Sequence, residues 1–292
     1  MNVEGPADRL RARLRDEAPV VAPGVVDAIG ARLARQAGFA TLYVSGAGTA
    51  AARGYPDMSI LSLAELVETT RLVAEASGAE VVVDLDTGYG GLPTLYQAMR
   101  ALRRAGAAGV HIEDQAFPRR CGYLLDGPCV PIAEMVRRLD AARAAGTDLV
   151  IAARTDALRG EGLDAAIERA AAYRDAGAEL VFVNGISTLE ELAAVAEALA
   201  CPLLYNVSGS DLSFEPSTEV AKAHGVALVI YPIQAARAAA AAQRRLFAQL
   251  ATGEGDRPEL LGFREYMDLA GWSELERFER ALAERPARPP AR

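Results

Sequence analysis

Short runs of apolar, largely β-branched residues alternate with longer Ala-rich runs along most of this chain. The runs PVVA (19–22), TLYVS (41–45), EVVVDLD (80–86), GVHIED (109–114), DLVIAART (148–155), ELVFVN (179–184), PLLYN (202–206) and ALVIY (227–231) predict eight strands. They are apolar at successive rather than alternate positions, the pattern of a parallel sheet covered on both faces. Between them the spacing predicts helices over 25–37, 62–76, 94–105, 132–145, 163–176, 188–199 and 218–223. The triplets AGF, SGA, AGA, AGT, AGA and HGV place a glycine at six of the helix ends, where a left-handed residue closes the last turn. Eight strand–helix units predict a (β/α)8 barrel over residues 1–252. An open doubly wound sheet is the competing arrangement, with SGAGTAA (45–51) as its dinucleotide fingerprint. That match fails, because Gly54 and Pro56 leave no room for the long helix whose N-terminus would hold the phosphates.

The pattern changes after residue 252. Amphipathic segments at 259–269 and 273–282 predict a helical extension over 253–285, followed by a tail, 286–292, read as disordered. Leu260, Leu261, Phe263, Tyr266, Leu269, Trp272, Leu275 and Phe278 are more apolar surface than a solvated appendage carries. The extension is therefore expected to pack on a neighbouring subunit in a homodimer or homotetramer.

Composition narrows the chemistry. With 31 basic and 39 acidic residues the net charge is −8, and no basic cluster offers a nucleic-acid groove. No apolar run reaches the ~18–20 residues of a membrane span, and the polar start is no signal peptide, so a cytoplasmic protein is expected. The one lysine, Lys222, is expected to face solvent, which argues against Schiff-base and pyridoxal-phosphate chemistry. His111 and His224 are too few and too far apart for a clustered zinc site. Cys121, Cys129 and Cys201 form no CxxC pair and are read as free thiols.

A barrel of this type builds its active site at the carboxyl ends of its strands. Those ends carry Tyr43, Ser45 and Gly46, then Asp84 and Asp86, then His111, Glu113 and Asp114, then Arg154, Thr155 and Asp156, then Asn184, and then Asn206 and Ser208. Any one of them alone is as well explained by capping the next helix. The same habit on consecutive strands points to a shared polar site. Asp84 and Asp86, spaced i and i+2, fall on one side of an extended strand and repel unless a cation joins them or one keeps its proton. With Glu113 nearby, this all-oxygen set suits Mg²⁺; pairing with neighbouring arginines is the alternative. Cys121 lies in a polar loop, QAFPRRCGYLLDG, where Arg119 and Arg120 are expected to favour its thiolate. Cys129 and Cys201 are read as structural.

These residues resemble a family. LYVSGAG (42–48), GYPD (54–57), VDLDTGYG (83–90), HIEDQ (111–115), RRCG (119–122) and ARTDA (153–157) are similar to motifs of the isocitrate lyase/phosphoenolpyruvate mutase superfamily. The pattern is nearest to its methylisocitrate lyase and carboxyphosphonoenolpyruvate phosphonomutase branch, and it runs from about Pro19 to Phe278. The resemblance implies a Mg²⁺-dependent lyase, with Mn²⁺ as a substitute metal, that breaks a carbon–carbon bond of a small 2-hydroxy or 2-oxo di- or tricarboxylic acid. It assigns the metal to Asp84 and Asp86, with Asp57 and Glu113 acting through water. Ser45, Gly46 and Ala47 are implied to hold the 2-oxo acid, with Tyr43 and Arg154 completing the pocket. Cys121 and Gly122 match a mobile gating loop whose thiol protonates the departing enolate. Arg237, in YPIQAAR, is implied to contact the remote carboxylate, near Asn184, Asn206 and Ser208. The C-terminal helices resemble ones exchanged between paired subunits. Three positions depart from the lyase pattern: Tyr123 replaces a histidine, Asn184 a glutamate, and Gly209 an acid. Oxaloacetate decarboxylation, phosphonopyruvate mutase or hydrolase chemistry, and a non-catalytic binding homologue therefore stand as alternatives.

Overall fold

All eight predicted strands form: β1 (Val20–Pro23), β2 (Thr41–Val44), β3 (Glu80–Asp84), β4 (Ala107–Glu113), β5 (Val150–Thr155), β6 (Leu180–Val183), β7 (Leu203–Asn206) and β8 (Val226–Tyr231). The structure, a computed structural model, describes residues 4–16, 19–122, 124, 127–209, 214–255 and 258–284. Tyr123 and the tail 286–292 lie outside the described residues. The strands are parallel and follow the order β1-β8-β7-β6-β5-β4-β3-β2. The seam between β1 and β2 is joined by a bridge from Gly24 to Tyr43, with the Val25 amide donating to the Tyr43 carbonyl at 2.9 Å. The result is the expected (β/α)8 barrel, nearly closed. Gly24 sits where the chain passes Pro232 so closely that a Cβ would lie 1.9 Å from the proline carbonyl oxygen, and only glycine fits there.

Between strands run α2 (Ala28–Gln36), α4 (Leu63–Ser77), α5 (Leu92–Arg104), α6 (Ile132–Ala144), α8 (Leu163–Asp175), α9 (Leu189–Leu199) and α10 (Thr218–Ala223). Three of them start later than predicted because a side chain caps them: Asp27 accepts from Gly30 N at 2.7 Å, Ser62 forms a capping box with Glu65, and Thr188 accepts from Glu191 N at 3.2 Å. The six glycines predicted at helix ends, Gly38, Gly78, Gly106, Gly146, Gly177 and Gly225, all have positive φ, between 62° and 96°. Two short helices, α3 (Gly46–Ala51) and α7 (Ala157–Glu161), follow β2 and β5. The six residues of α3 agree with the absence of a long helix after SGAG. Inside the barrel, Ala22, Tyr43, Val82, Ala108, Val150, Ala152, Leu180, Phe182, Leu204, Leu228 and Ile230 form one packed cluster. Strand faces turned outward meet the helices in two further clusters.

Besides these short helices, two longer ones were not foreseen. The first, α1 (Pro6–Leu14), is polar along most of its length, PADRLRARL. It owes its place to ion pairs far along the chain: Arg9 and Arg13 both hold the buried Glu80, and Arg11 holds Glu179 through two bonds of 2.6 and 2.8 Å. Those partners stand at the amino ends of β3 and β6, so α1 lies across the floor of the barrel. Its Leu10 is fully buried with the interior cluster, and a Cβ on Gly109 would meet Leu10 Cδ2 at 3.1 Å. The second is α11 (Gln234–Thr252), 19 residues rich in alanine and arginine. Among the described residues no helix is long and apolar enough to cross a membrane.

The chain divides into two compact units, Met1–Ala239 and Ala240–Arg292. The second holds the remainder of α11 with α12 (Phe263–Leu269) and α13 (Trp272–Ala283). Helix α12 begins after the predicted position because the chain from 258 to 262 is irregular up to its N-cap, Gly262. Arg264 ties the two helices together, donating to Ser273 at 2.9 Å and to Glu276 at 3.0 Å. Leu269 is buried, whereas Leu260, Phe263, Trp272, Leu275 and Phe278 are all more than half exposed.

Leu10 gives the floor helix a direct test. Leu10→Ala empties the bottom of the interior cluster and is expected to cost about 2–5 kcal/mol, which lowers Tm by roughly 5–15 °C for a domain of this size. Calorimetry reads the shift; an unchanged Tm would mean that α1 is not part of the core.

Candidate active site

Strand β3 stops at Asp84, two residues before its predicted end. Asp86 has φ +49°, a left-handed conformation rare for a residue with a Cβ. Alternation along a strand therefore does not bring the two aspartates together. A tight turn does, held by the Asp86 amide donating to Asp84 Oδ1 at 3.2 Å. Both carboxylates face Gly46, where a Cβ would lie 3.1 Å from Asp86 Oδ1 and 3.3 Å from Asp84 Oδ2. The Gly46 amide donates to Asp84 Oδ2 at 3.3 Å, and Ser45 Oγ caps α3 through the Gly48 amide at 3.2 Å. The motif LYVSGAG thus presses a side-chain-free turn onto the carboxylates of β3.

Two arginines hold this cluster. Arg119, read from sequence as a neighbour that tunes Cys121, commits its guanidinium to acids. It binds Asp57, donates to Glu113 at 2.7 Å and lies 3.3 Å from Asp86. Arg154 donates to Asp156 at 2.7 Å, lies 3.3 Å from Glu113 Oε2, and rests over the Phe182 ring. Burial works against the Asp84 carboxylate, but His111, Arg154 and Arg119 outweigh it and bring its pKa to about 2. Asp86 moves the other way: burial, then Asp84, Glu113 and Asp57, push it well above the usual range despite Arg119. Burial likewise raises Glu113 to about 7, against the pull of both arginines. His111 is fully buried, driven down to about 4 by burial, and so neutral at neutral pH. Its Nε2 is 2.6 Å from the Tyr43 hydroxyl, whose own pKa burial and Asp84 raise, so that Tyr43 keeps its proton.

A cavity of about 80 Å³ opens over these groups. Of the residues named from the sequence, Tyr43, Ser45, Ala47, Asp57, Asp84, Cys121, Gly122, Arg154, Asn206 and Ser208 line it, together with Arg119, Phe182, Pro232 and Ile233. Gly46, Asp86, Glu113 and Asn184 stand behind that wall. Asn184 donates to Asp156 Oδ1 at 2.6 Å, and Gly122 lies against this pair, with its would-be Cβ 2.6 Å from Asp156 Oδ1. Arg237 does not reach the cavity: it is exposed and donates to the Gly209 carbonyl at 3.0 Å. Gly209 has φ +67°, which suits glycine better than the acid of the lyase pattern. Asp156 is the main residue that sequence reasoning left unassigned; its signal was the RTD spacing, which turns an acid back onto Arg154. Burial raises the pKa of Cys129 and Cys201, so both remain thiols.

The donors suit a hard divalent cation. Among the described residues no three His, Cys, Asp or Glu side chains close on one point by themselves. Mg²⁺ does not need them, since it commonly takes one or two carboxylates and keeps several waters. Asp86 Oδ1 and Glu113 Oε2 are buried without a hydrogen bond, and burial together with the neighbouring acids raises the Asp86 pKa despite Arg119. Asp84 and Asp86 would hold the ion.

Similarity to known proteins extends over most of the chain. Residues 10–251 match the family model described as phosphoenolpyruvate phosphomutase. The chain is 38% identical over 249 residues to a 2-methylisocitrate lyase of Halalkalibacterium halodurans, covering 85% of this chain and 83% of that one. It is similar to the structure of oxaloacetate acetylhydrolase with the inhibitor 3,3-difluorooxalacetate, with a TM-score of 0.90 and 33% identity over 97% of this chain and 99% of that one. A phosphonopyruvate hydrolase in complex with oxalate and Mg²⁺ matches with a TM-score of 0.85 and 29% identity, covering 95% and 99%.

The strained, charge-crowded turn at Asp86 predicts a trade of stability against function. A carboxyl whose folded pKa is raised contributes stability below its unfolded pKa and loses it as pH rises through the folded value. For Glu113 that window runs from 4.5 to about 7. Without divalent metal, Tm should therefore fall as pH rises across this window. Asp86→Asn puts a side chain that cannot ionise into this buried cluster and suits the left-handed turn, so it should raise Tm in EDTA by about 2–4 °C. A lower Tm for this variant would contradict the assignment of crowding.

Proposed function

The chain belongs to the phosphoenolpyruvate phosphomutase family, within the isocitrate lyase/phosphoenolpyruvate mutase superfamily, and on that premise we propose that it is a Mg²⁺-dependent carbon–carbon lyase. Its substrate is a small 2-hydroxy or 2-oxo di- or tricarboxylic acid, from which it releases a 2-oxo acid. The observation that carries this reading is one cavity lined by Asp84, Arg154 and Tyr43 together with a thiol, Cys121. Bound Mg²⁺ supplies a Lewis acid for the oxygens of the 2-oxo acid.

The chain's own residues do the rest. Arg154 binds a substrate carboxylate, and Glu113 and Asp156 keep its guanidinium in place. Tyr43, protonated, donates a hydrogen bond to an oxygen that gains charge. As the C–C bond of a 2-hydroxy acid breaks, the hydroxyl becomes the carbonyl and its proton passes to the acid cluster, where Glu113, raised to about 7, takes it. The electron pair stays on the departing carbon, and Cys121 Sγ gives that carbon a proton. Gly122, packed against Asp156 and Asn184, brings the loop over the cavity and keeps water from the carbanion. A cavity of about 80 Å³ holds several water-sized groups, which favours the smaller dicarboxylic acids. The neutral Asn184 favours a second reading, decarboxylation of an oxaloacetate-like acid, whose enolate can take its proton from water.

The exposed apolar residues of α12 and α13 support a further part of the proposal: this extension is buried on a second copy of the chain in a homodimer or homotetramer. Light scattering at low micromolar concentration should then report a multiple of 30.8 kDa, and a monomer alone would refute it.

Incubation with candidate di- and tricarboxylic acids and Mg²⁺, with products identified by mass spectrometry, is expected to yield a 2-oxo acid and a second carbon fragment. Carbon dioxide as the only fragment would favour the decarboxylase; inorganic phosphate from a phosphonate, or no turnover at all, would sink the lyase. Cys121→Ser should keep substrate binding and lose turnover by roughly 10²–10⁴. C–C cleavage at the wild-type rate in that variant would remove the thiol from the mechanism.

A further inference from the structure

Behind the site lies a buried carboxylate that the proposed chemistry does not use. Asp114 follows Glu113 at the end of β4 and is fully buried. Its Oδ2 accepts from the Thr155 hydroxyl at 2.7 Å and from the Tyr173 hydroxyl at 2.8 Å, with Arg169 at 3.6 Å. Its Oδ1 accepts from the backbone amide of Asp156 at 3.0 Å. Burying an anion is costly unless donors surround it, and here they come from β5, from the turn after it and from α8. Arg169 extends the brace to α7, donating to Glu161 at 2.8 and 2.9 Å, and to the Val130 carbonyl at 2.8 Å.

The bond to the Asp156 amide leads back to the cavity. Asp156 Oδ1 accepts from Arg154 Nη2, while Arg154 Nη1 faces Glu113 Oε2, the residue next to Asp114 in the chain. Glu113, Asp114, Asp156 and Arg154 thus close a ring that ties the tip of β4 to the tip of β5. A free guanidinium on a long side chain samples many rotamers, and its bonds to a ligand are strong only when its plane is fixed. We propose that Asp114 is a positioning residue: it anchors the Asp156 backbone, and through Asp156 sets the guanidinium of Arg154 at the angle that receives a substrate carboxylate. This rests on the reading that Arg154 binds such a carboxylate.

The test uses the full chain with Mg²⁺ and oxalate as the probe, titrated by calorimetry, alongside melting curves. Asp114→Asn keeps the shape but weakens the anchor, and oxalate affinity should fall about tenfold in a protein still folded at the assay temperature. Tyr173→Phe, which removes one donor and leaves the charge, should shift affinity in the same direction by less. In an Arg154→Lys background Asp114→Asn should cause no further loss, whereas a merely structural role would give additive losses. A folded Asp114→Asn protein with wild-type affinity, or additive losses, overturns the proposal. If Asp114→Asn does not fold, unchanged affinity in Tyr173→Phe overturns it instead. A wild-type protein that binds no oxalate would fail differently, by removing the carboxylate-binding reading on which the proposal rests.

Discussion

Three acids at the ends of β3 and β4 are buried within reach of one another, and the rest of the site is arranged around that repulsion. Asp84, Asp86 and Glu113 cannot all ionise in a low-dielectric pocket without cations beside them. Arg119 and Arg154 supply two, and Asp84 is held ionised while Asp86 and Glu113 are pushed upward. The proposed divalent ion would meet the remaining demand. The same crowding explains why the neighbouring turn has a glycine at position 46, where any side chain would touch both aspartates.

The supporting architecture follows from this concentration of charge. A parallel barrel buries its strands completely and leaves polar residues only at their ends, so the strand tips are where buried charge can be matched by loops. Gly122 and Arg119 come from one such loop, Ser45 to Ala47 from another. Asp156 and Asn184 pair behind Gly122, and Asn184 donates where the lyase pattern has an acid. A glutamate at that position would face Asp156 charge to charge. The amide removes that repulsion and donates to Asp156 instead.

Much of this was legible in the chain. Consecutive β-branched positions marked the strands, and glycines after alanine-rich runs marked the helix ends, because both signals are local. Helix α1 was not legible: its ion pairs reach partners 71 and 168 residues away, and its own apolar positions are few. The end of β3 was missed because a left-handed aspartate has no local warning. The acid partners of Arg119 were hidden for the same kind of reason, since Asp57 is 62 residues distant and nothing near Cys121 announces it. Arg237 looked like a substrate contact by motif, yet its guanidinium is held by the Gly209 carbonyl. Local pattern found the elements and the acids, and long-range pairing decided how the acids were balanced.

The claim that these acids form a cation-dependent site for a 2-oxo acid is tested most directly by titrating oxalate into the protein with and without Mg²⁺. With 5 to 10 equivalents as an order-of-magnitude excess of metal (roughly saturating for a site at [L] well above Kd), oxalate should bind at one site per chain, and in EDTA that binding should vanish. Equal affinity in the two conditions would contradict it, leaving the arginines alone as the binding groups and the carboxylates as mere partners for them.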